Sequence, residues 1–517
     1  MLNLRFVFRQ LGLVMAVISA SMLVIGLWAA LEWARVSRSE LLAMEGMFAG
    51  AVVGLIITLA TWAIGRTGGE SYLGRREALL LVALSWLVGA AVAGLPFFFW
   101  AMADGELPDG HVFRSPAACY FEAMSGFTTT GASVLSDVEA VPHALLLWRA
   151  MTHWLGGLGI VVLFVAVLPS LGVGGKKLFA AEVTGPTATG VRPRIRETAR
   201  VLWLIYLGMT LVQSVLLRLC GMTWFDAVCH TFATLATGGF STRNASIGYY
   251  DSWAIDIIVI VFMVLAGVNF GLYYQAMRGR VSAVWRDPEL RLYLIVLGLA
   301  TVIIGFCVHG TPHVPLLSVE PRDASITDAA RHAAFQVASI QTTTGFATAD
   351  FDRWGFVPKA VLIALMFIGG CAGSTGGGIK VIRILIAAKV MAAEIERVFR
   401  PSVVRTVRAG RSVIPPEIRQ ETLVYIGLIV CLFLFGAVAL QIIEGTGPEG
   451  ISFATAATAS AATLNNIGPG LHLVGPTQNY GFFSPASHLL MCVLMCLGRL
   501  EVYALFVLFL PTFWRGE

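Results

Sequence analysis

Residues 121–132 of this 517-residue chain read FEAMSGFTTTGA, a short apolar segment that ends in a threonine-rich phrase and a glycine. Three later segments end in a related phrase, namely Leu235-Ala236-Thr237-Gly238, Thr342-Thr343-Thr344-Gly345 and Asn465-Asn466-Ile467-Gly468. The glycines at 131, 238, 345 and 468 are separated by 107, 107 and 123 residues (238 − 131, 345 − 238 and 468 − 345). Glycine tolerates backbone angles that turn consecutive carbonyls to one side, and a ring of carbonyls replaces the water shell of a small cation. The repetition therefore predicts four similar loops around the axis of one pore.

The composition is that of a membrane protein. Hydrophobic residues make up 57% of the chain and charged residues 13%, whereas soluble proteins carry about 25% charged residues; the mean hydropathy is +0.78. A helix needs about 20 apolar residues to cross a bilayer. We expect ten spans, at residues 11–34, 41–64, 78–100, 148–168, 200–220, 253–276, 290–308, 358–388, 420–443 and 486–511. The first stretch is longer than the apolar part of a cleaved signal peptide, about 7–15 residues, so we expect it to be a helix.

The distribution of charge predicts an orientation. Lys and Arg concentrate in three loops, residues 172–200, 277–291 and 389–419. The positive-inside rule places such loops in the cytoplasm, and an even number of spans then puts both termini on the same side. Nucleic acid binding is the disfavoured reading of these loops, because they lack interleaved aromatic residues. The eight cysteines lie almost entirely in apolar segments, where a free thiol behaves as a small hydrophobe, so we expect no disulfide framework and no zinc site.

After two N-terminal spans the chain repeats one unit four times: a span, a short apolar segment that ends in the glycine phrase, and a second span. The short segments are residues 116–127, 224–235, 328–341 and 450–464. At about 1.5 Å per residue, a dozen residues cover only half of the hydrocarbon core, which predicts re-entrant helices. We therefore expect an all-α polytopic fold with a pseudo-fourfold pore. The expected units are an N-terminal helix pair at 1–70 and pore repeats at 71–172, 173–280, 281–390 and 391–517.

The four phrases, and above all residues 121–132, resemble those of the Trk/Ktr/HKT superfamily of potassium transporters, and the two additional N-terminal spans resemble its bacterial TrkH branch. The resemblance covers nearly the whole chain. In that superfamily backbone carbonyls of the Thr-Thr-Gly stretch bind potassium, which is the transported substrate. The resemblance therefore implies a filter made of Thr129, Thr130, Gly131, Ala236, Thr237, Gly238, Thr343, Thr344, Gly345, Asn466, Ile467 and Gly468.

The fourth loop departs from the superfamily's pattern. Asn466-Ile467-Gly468 replaces Thr-Thr-Gly, and Pro469 restricts the backbone that follows. Because the ligands are backbone carbonyls, this loop can still bind a cation, but we expect an asymmetric filter. Glycine in all four loops favours potassium over sodium by the same resemblance. We disfavour glycines that merely form tight turns, because four coincident turns at membrane depth need a reason.

The span at 358–388 is interrupted by GGCAGSTGGG at residues 369–378. Six glycines in ten positions do not hold a straight helix, since each costs about 1 kcal/mol relative to alanine. In the superfamily the corresponding break is an intramembrane gate below the filter. The resemblance implies a gate formed by Gly370, Gly373, Ser374, Thr375, Gly376, Gly377 and Gly378 together with Arg499. A close-packing glycine stripe is the plainer reading, and a phosphate cradle with Lys380 is disfavoured because the order of residues is wrong.

Arg499 lies within the last expected span, and an intramembrane charge usually faces a cavity or a partner. We expect it to donate hydrogen bonds to carbonyls around residues 373–377 and to raise an electrostatic barrier against cations. The alternative is a surface pair with Glu501, which is disfavoured because residues i and i+2 do not share a helix face.

Two sets of acidic residues have open roles. Glu122, in the first short helix, either attracts cations from outside or anchors backbone N–H groups behind the filter. Asp350 and Asp352, with Glu444 and Glu449, either concentrate cations at the outer mouth or form a solvated rim. The isolated residues His153 and His230 lack metal-ligand spacing, and we expect them in the core.

The sequence as a whole predicts potassium uptake across a bacterial inner membrane, without an enzymatic activity and without a bound cofactor. The resemblance implies a homodimer in membrane lipid with a cytoplasmic nucleotide-binding regulatory subunit of the TrkA type, and no nucleic acid partner. A sodium-permeable or cation-coupled carrier of the same fold is the alternative. A membrane-embedded enzyme is the disfavoured alternative, because no converging nucleophile and base are found.

Overall fold

The computed structural model describes residues 2–33, 36–66, 74–159, 195–310, 312–313, 322–402, 406–410, 412–445 and 450–515. Within these residues, six helices are long and apolar enough to cross a membrane, or eight if two sharply bent helix pairs each count as one span. The second half of the expected span at 148–168 and most of the basic loop at 172–200 lie outside the described residues, as does the expected boundary at 172.

Three long helices begin the chain: α1 (Leu4–Glu32), α2 (Arg38–Gly65) and α3 (Arg75–Ala103). Each of the first two begins at a capping side chain, because Asn3 accepts from the amide of Phe6 and Ser37 accepts from that of Glu40. Such caps satisfy amide groups that a helix start leaves without a partner. Close packing joins the helices, since a β-carbon on Gly54 of α2 would lie 2.2 Å from Oγ of Ser19 in α1.

Four short helices follow at regular intervals along the chain, and each is nearly enclosed by protein. They are α4 (Pro116–Phe127), α7 (Trp224–Leu235), α12 (Ile326–Gln341) and α16 (Phe453–Leu464). Their bounds agree closely with the short apolar segments that the sequence predicts. Proline at the first position of α4 and the caps Thr223, Ser325 and Ser452 begin them.

The remaining helices flank the four short ones along the chain. They are α5 (His143–Trp154), α6 (Ile195–Leu219), α8 (Trp253–Ala266), α9 (Phe270–Met277), α10 (Val281–Trp285), α11 (Pro288–Val308), α13 (Phe356–Met366), α14 (Val381–Phe399), α15 (Pro416–Glu444), α17 (Pro485–Arg499), α18 (Tyr503–Phe506) and α19 (Pro511–Trp514). Two small antiparallel hairpins lie outside them, β1 (Pro312–His313) with β2 (Arg322–Asp323) and β3 (Arg408–Ala409) with β4 (Ser412–Val413). The all-α polytopic fold class is confirmed.

The second helix of every repeat is interrupted, although the sequence predicts an interruption only in the third. After α5 the helix widens into a π-helical turn at Leu155–Gly159. The axes of α8 and α9 differ by 92°, and those of α17 and the segment Tyr503–Phe509 by 116°. The spans expected at 253–276 and 486–511 are therefore each bent at a short break, which the sequence does not predict. A break frees backbone groups that need partners inside the membrane, and these groups face the site described next.

Candidate functional site

The four short helices end in the same backbone turn. At each end the second residue past the helix has a left-handed backbone, with φ values of 52°, 55°, 60° and 55° at Thr129, Thr237, Thr343 and Asn466. The next amide then closes a six-residue turn onto the helix, in the pairs Thr130 to Ser125, Gly238 to Ala233, Thr344 to Ser339 and Ile467 to Ala462, at 2.8–2.9 Å. One conformation shared by four loops is the structural basis of the sequence repetition.

The second loop is one residue out of the register that the sequence predicts. The glycines with a left-handed backbone after the shared turn are Gly131, Gly239, Gly345 and Gly468, with φ of 79°, 81°, 83° and 97°. Gly238 therefore corresponds to Thr130 and not to Gly131. The structural spacings are 108, 106 and 123 residues (239 − 131, 345 − 239 and 468 − 345). The correction arises because this loop has two consecutive glycines, and only Gly239 has both the positive φ and the close approach to a carbonyl of the next loop that Gly131, Gly345 and Gly468 share.

These four glycines bring the loops together in a closed cycle. A β-carbon added to Gly131, Gly239, Gly345 or Gly468 would lie 2.0, 2.0, 2.0 or 2.8 Å from the carbonyl oxygen of Gly238, Thr344, Ile467 or Thr130, respectively. Real β-carbons do not approach an oxygen so closely, so each position excludes a side chain. The first loop thus meets the second, the second the third, the third the fourth and the fourth the first.

A buried ion pair supports the first loop from behind. Arg149 Nε donates to Glu122 Oε1 at 2.7 Å, and both side chains are almost wholly enclosed. The other carboxylate oxygen of Glu122 accepts from the amide of Val134 at 2.9 Å. The Arg149 guanidinium also lies 4.1 Å from the ring centre of Phe240 in the second repeat. Of the two roles left open for Glu122, this geometry favours the anchor.

His153 connects the first short helix to the second loop. Its Nδ1 lies 2.8 Å from the carbonyl oxygen of Gly126, and its Nε2 accepts from the amide of Phe240 at 3.2 Å. A carbonyl only accepts, so Nδ1 carries the proton. A β-carbon on Gly238 would lie 2.4 Å from Cγ of this imidazole. His153 and His230 are both fully buried, which agrees with the expectation that they belong to the core.

The fourth loop is attached differently from the others. In the first and third loops two threonine hydroxyls pair, Thr128 with Thr130 at 2.8 Å and Thr342 with Thr344 at 2.7 Å. In the fourth loop the Asn466 amide instead donates to Thr130 Oγ1 and to the carbonyl of Met495 in α17, both at 3.0 Å. The asparagine therefore fixes this loop to its two neighbours, and asparagine also tolerates a left-handed backbone.

The glycine-rich segment at 367–380 lies against the base of the third and fourth loops. Gly377 N donates to Thr343 Oγ1 at 2.7 Å, and a β-carbon on Gly377 would lie 2.7 Å from the carbonyl oxygen of Asn465. Glu289, at the start of α11, also contacts the segment. Its Oε1 accepts from Ala372 N at 2.7 Å and from Ile382 N at 3.1 Å. One carboxylate oxygen thus joins the middle of the segment to the first turn of α14.

Arg499, at the end of α17, joins three of the interrupted helices. It donates to the carbonyl of Thr375 at 2.7 Å and to those of Gly156 and Gly157 at 2.8 and 3.1 Å. Glu501 accepts from Arg383 at 2.6 Å. The geometry expected for Arg499 is therefore present, and its partners include a break that the sequence did not reveal.

Four charged residues lie near these contacts, of which the sequence reasoning missed Arg149, Glu289 and Arg383 and considered Lys380 only as part of a disfavoured phosphate cradle. All four are buried in an apolar chain. Their one sequence signal is a charge inside or at the edge of an expected span, which is costly unless it is paired.

The acidic residues of the expected outer rim hold neighbouring loops. Asp352 Oδ2 accepts from the amide of His472 at 3.0 Å, which links the third repeat to the fourth. Glu444 Oε1 accepts from the amide and the hydroxyl of Ser484 at 2.9 and 2.6 Å. Glu449 lies outside the described residues. Among the residues that the structure describes, no three His, Cys, Asp or Glu side chains group as metal ligands.

The fold and the site define a polytopic helical membrane protein in which four backbone turns form a closed cycle that contacts a glycine-rich segment. The TrkH family, described as cation transport protein, matches residues 109–515. The chain is 38% identical to the Trk system potassium uptake protein TrkH of Salmonella typhimurium, over 99% of this chain and 100% of that protein. The same protein of Escherichia coli K12 is also 38% identical over 99% and 100%, and its TrkG is 33% identical over 85% and 86%.

A solved structure gives the same result. The crystal structure of the potassium transporter TrkH from Vibrio parahaemolyticus superposes with a TM-score of 0.82 at 34% identity, over 99% of this chain and 100% of that chain. The chain belongs to the TrkH family of cation transport proteins. The predictions of the family and of a function other than enzymatic are thereby confirmed.

Proposed function

We propose that this protein takes up potassium across the bacterial inner membrane, through a filter formed by the four glycine turns. The support is the closed cycle of loops together with relatives named as potassium uptake proteins. Backbone carbonyls bind a dehydrated cation without side-chain ligands. Potassium is the cargo, and no resident cofactor is part of the proposal.

The proposed filter consists of the residues after the four short helices. It comprises Thr129, Thr130, Gly131, Ala236, Thr237, Gly238, Gly239, Thr343, Thr344, Gly345, Asn466, Ile467 and Gly468. Gly239 joins the set because its backbone angle and its close approach to Thr344 O match those of Gly131, Gly345 and Gly468. The attachment of Asn466 supports an asymmetric filter in which the fourth loop is held by its side chain.

The proposed gate is the glycine-rich segment below the filter, with Gly370, Gly373, Ser374, Thr375, Gly376, Gly377 and Gly378, closed by Arg499. Its guanidinium bridges Thr375 of the third repeat and Gly156 of the first. A charge held there opposes a passing cation. Opening requires these hydrogen bonds to break, so the glycine-rich segment and α17 move relative to each other.

The proposed assembly is a homodimer in membrane lipid, with both termini cytoplasmic and with a TrkA-type nucleotide-binding subunit below. The support is the basic loops at 277–291 and 389–419 and the Trk systems to which the relatives belong. The helix pair at 1–70 and the four repeats at 71–172, 173–280, 281–390 and 391–517 remain the proposed units.

The test is cation flux from proteoliposomes that contain the purified protein. We expect an inward potassium gradient to drive uptake, and Arg499→Ala to raise the resting flux. An unchanged flux and unchanged gating in Arg499→Ala contradict the proposed role of the arginine. Adding the regulatory subunit with different nucleotides tests the proposed partner, which should change the flux of the wild-type protein.

Reversal potentials separate the sodium alternative from potassium selectivity. With potassium inside and sodium outside, a potassium-selective pore reverses near the potassium equilibrium potential, whereas a sodium-permeable carrier shifts toward zero. A proton gradient applied across the same vesicles distinguishes coupling from passive conduction. Passive conduction is favoured by Glu122, Glu289 and Glu501, because these buried carboxylates are each held by hydrogen bonds.

A further inference from the structure

A second cationic side chain contacts the glycine-rich segment. Lys380, the residue before α14, donates from Nζ to the carbonyl oxygen of Gly376. This carbonyl directly follows that of Thr375, which accepts from Arg499 at 2.7 Å. Two neighbouring carbonyl oxygens of the segment are therefore each covered by a positive side chain, one from the same repeat and one from the fourth repeat.

These carbonyls lie directly below the proposed filter. A β-carbon on Gly376 would lie 3.1 Å from the carbonyl oxygen of Thr342, at the end of the third short helix. Gly377 is hydrogen-bonded to Thr343 in the filter itself. A potassium ion that leaves the filter on this side therefore passes the carbonyls of residues 375 and 376.

The Lys380 ammonium is enclosed among charged groups. Its side chain is buried, with 8% of the residue's surface exposed, and it interacts electrostatically with Glu501, Arg499, Arg383 and Glu289. Glu501 pairs with Arg383, so the positive side chains that contact the carbonyls of the segment are Lys380 and Arg499. A buried positive charge raises an electrostatic barrier to cations.

We propose that the carbonyl oxygens of Thr375 and Gly376 form a monovalent-cation site below the filter, and that Lys380 and Arg499 occupy it in this closed structure. An ammonium group resembles a potassium ion in charge and size, so a carbonyl that accepts from Lys380 also suits potassium. Lys380 is then a second gating cation beside Arg499. This inference rests on the proposed function, because it places the site on the potassium path.

The decisive variants keep or remove the charge at one position. Lys380→Met removes the ammonium and nearly preserves the side-chain length, Lys380→Gln removes it and keeps polarity, and Lys380→Arg keeps the positive charge. Lys389→Met is the matched control, because Lys389 lies in α14, the helix that Lys380 directly precedes, and donates to Arg408 O at an exposed site. All variants are compared with the wild-type protein in proteoliposomes without a regulatory subunit.

We expect the Met and Gln variants to raise the resting potassium flux about fivefold or more, since a barrier lowered by about 1 kcal/mol corresponds to that factor. Lys380→Arg and Lys389→Met should stay near the wild-type flux. A flux that falls or stays unchanged in both neutral variants overturns the proposal. The proposal is also overturned if neither neutral variant yields monodisperse protein while Lys380→Arg does. The positive charge at this position is then needed only for folding.

A second measurement does not depend on transport. Potassium that binds the folded protein raises its Tm, so a vacated carbonyl site should give Lys380→Met a larger rise in Tm with potassium chloride than with choline chloride. The wild type and Lys380→Arg should show a smaller rise. Equal responses in all proteins contradict the site. Wild-type vesicles that conduct no potassium contradict the proposed function instead, and the Tm comparison then still decides whether the site exists.

Discussion

At the scale of single residues, the site depends on glycines, which have no side chain. Gly131, Gly239, Gly345 and Gly468 leave room for a carbonyl of the next loop, and their left-handed backbone angles favour glycine as well. Two separate constraints, space and φ, therefore select the same residue at four positions. Behind the first loop, in contrast, the space is filled by two buried charged side chains, Glu122 and Arg149.

Gly239→Ala tests the register of the second loop. The added β-carbon would lie 2.0 Å from Thr344 O at a φ of 81°, so we expect the second and third loops to separate and potassium over sodium selectivity to fall about tenfold or more. The measurement is the reversal potential in mixed gradients. Gly298→Ala is the control, since nothing lies within 4 Å of its β-carbon position. Equal selectivity in the two variants contradicts the assignment of Gly239 to the ring.

Glu122→Gln tests the support behind the first loop. It leaves the buried Arg149 without its charge partner, and breaking a buried pair in this way costs about 3–5 kcal/mol. We expect the Tm of the detergent-solubilised protein, followed by tryptophan fluorescence, to fall by several degrees.

Glu139→Gln provides the comparison for that measurement. Glu139 pairs with Arg243 at 3.5 Å on the exposed side of the same repeat, and exposed pairs contribute about 1 kcal/mol or less. Its Tm should stay close to that of the wild type. A Glu122→Gln protein as stable as Glu139→Gln would contradict the role of the Glu122 carboxylate as an anchor.

At the scale of elements, the chain that follows α5 and the helix α17 are shaped by their contacts with the ends of two short helices, α4 and α16. A β-carbon on Gly156 would lie 1.9 Å from the carbonyl oxygen of Phe127, and one on Gly498 would lie 1.8 Å from that of Leu464. Glycine at these two positions lets the backbone after α5 and at the end of α17 pack directly against the end of a short helix. The interruptions follow at 155–159 and at 500–502, where Glu501 and Val502 have φ of 52° and 66°.

Gly498→Ala tests this packing. The added methyl group has no space beside Leu464 O, so α17 must shift away from α16 and take Arg499 with it; we expect a lower Tm and an altered resting flux. In Gly427→Ala the methyl group points into open space on α15, and a helix-interior alanine stabilises by up to about 1 kcal/mol relative to glycine. Opposite shifts in Tm are thus expected, and a stable Gly498→Ala protein with wild-type flux would show that the contact is dispensable.

At the scale of the whole molecule, His143 attaches the N-terminal helix pair to the helices that follow. The imidazole Nδ1 lies 2.6 Å from Glu40 Oε1 of α2. Its ring stacks on Trp33, beyond α1, at 5.3 Å between centroids, and meets Phe225 of the second repeat at 4.8 Å. One side chain thus joins the two additional helices to two repeats.

This junction predicts a pH dependence of stability. The hydrogen bond to Glu40 raises the pKa of His143 above its usual value, against the opposing effect of burial. A raised pKa means that the stabilisation is complete below about pH 6.5 and is lost as the pH rises through the folded-state pKa. We expect the Tm of the wild type to fall over that range by more than the Tm of His143→Gln. Parallel curves for the two proteins contradict the role of the imidazolium.

Much of this protein was determined by its sequence alone. In a bilayer an apolar stretch of about 20 residues satisfies its backbone hydrogen bonds by forming a helix. The fold class and the long helices therefore follow from hydropathy. The four short helices follow too, because a dozen apolar residues before a glycine phrase cannot cross. The Gly-rich break at 369–378 follows from helix propensity, a local property of the chain.

Contacts between distant residues were decided only by the tertiary structure. The choice of Gly239 over Gly238 depends on Thr344 in another repeat, and the role of Glu122 depends on Arg149. The breaks at 155–159 and 500–502 carry no glycine-rich signal as strong as that of the third repeat, since packing against α4 and α16 shapes them. Lys380 and Arg499 meet neighbouring carbonyls only after four repeats close into a ring, and closure is a property of the whole chain.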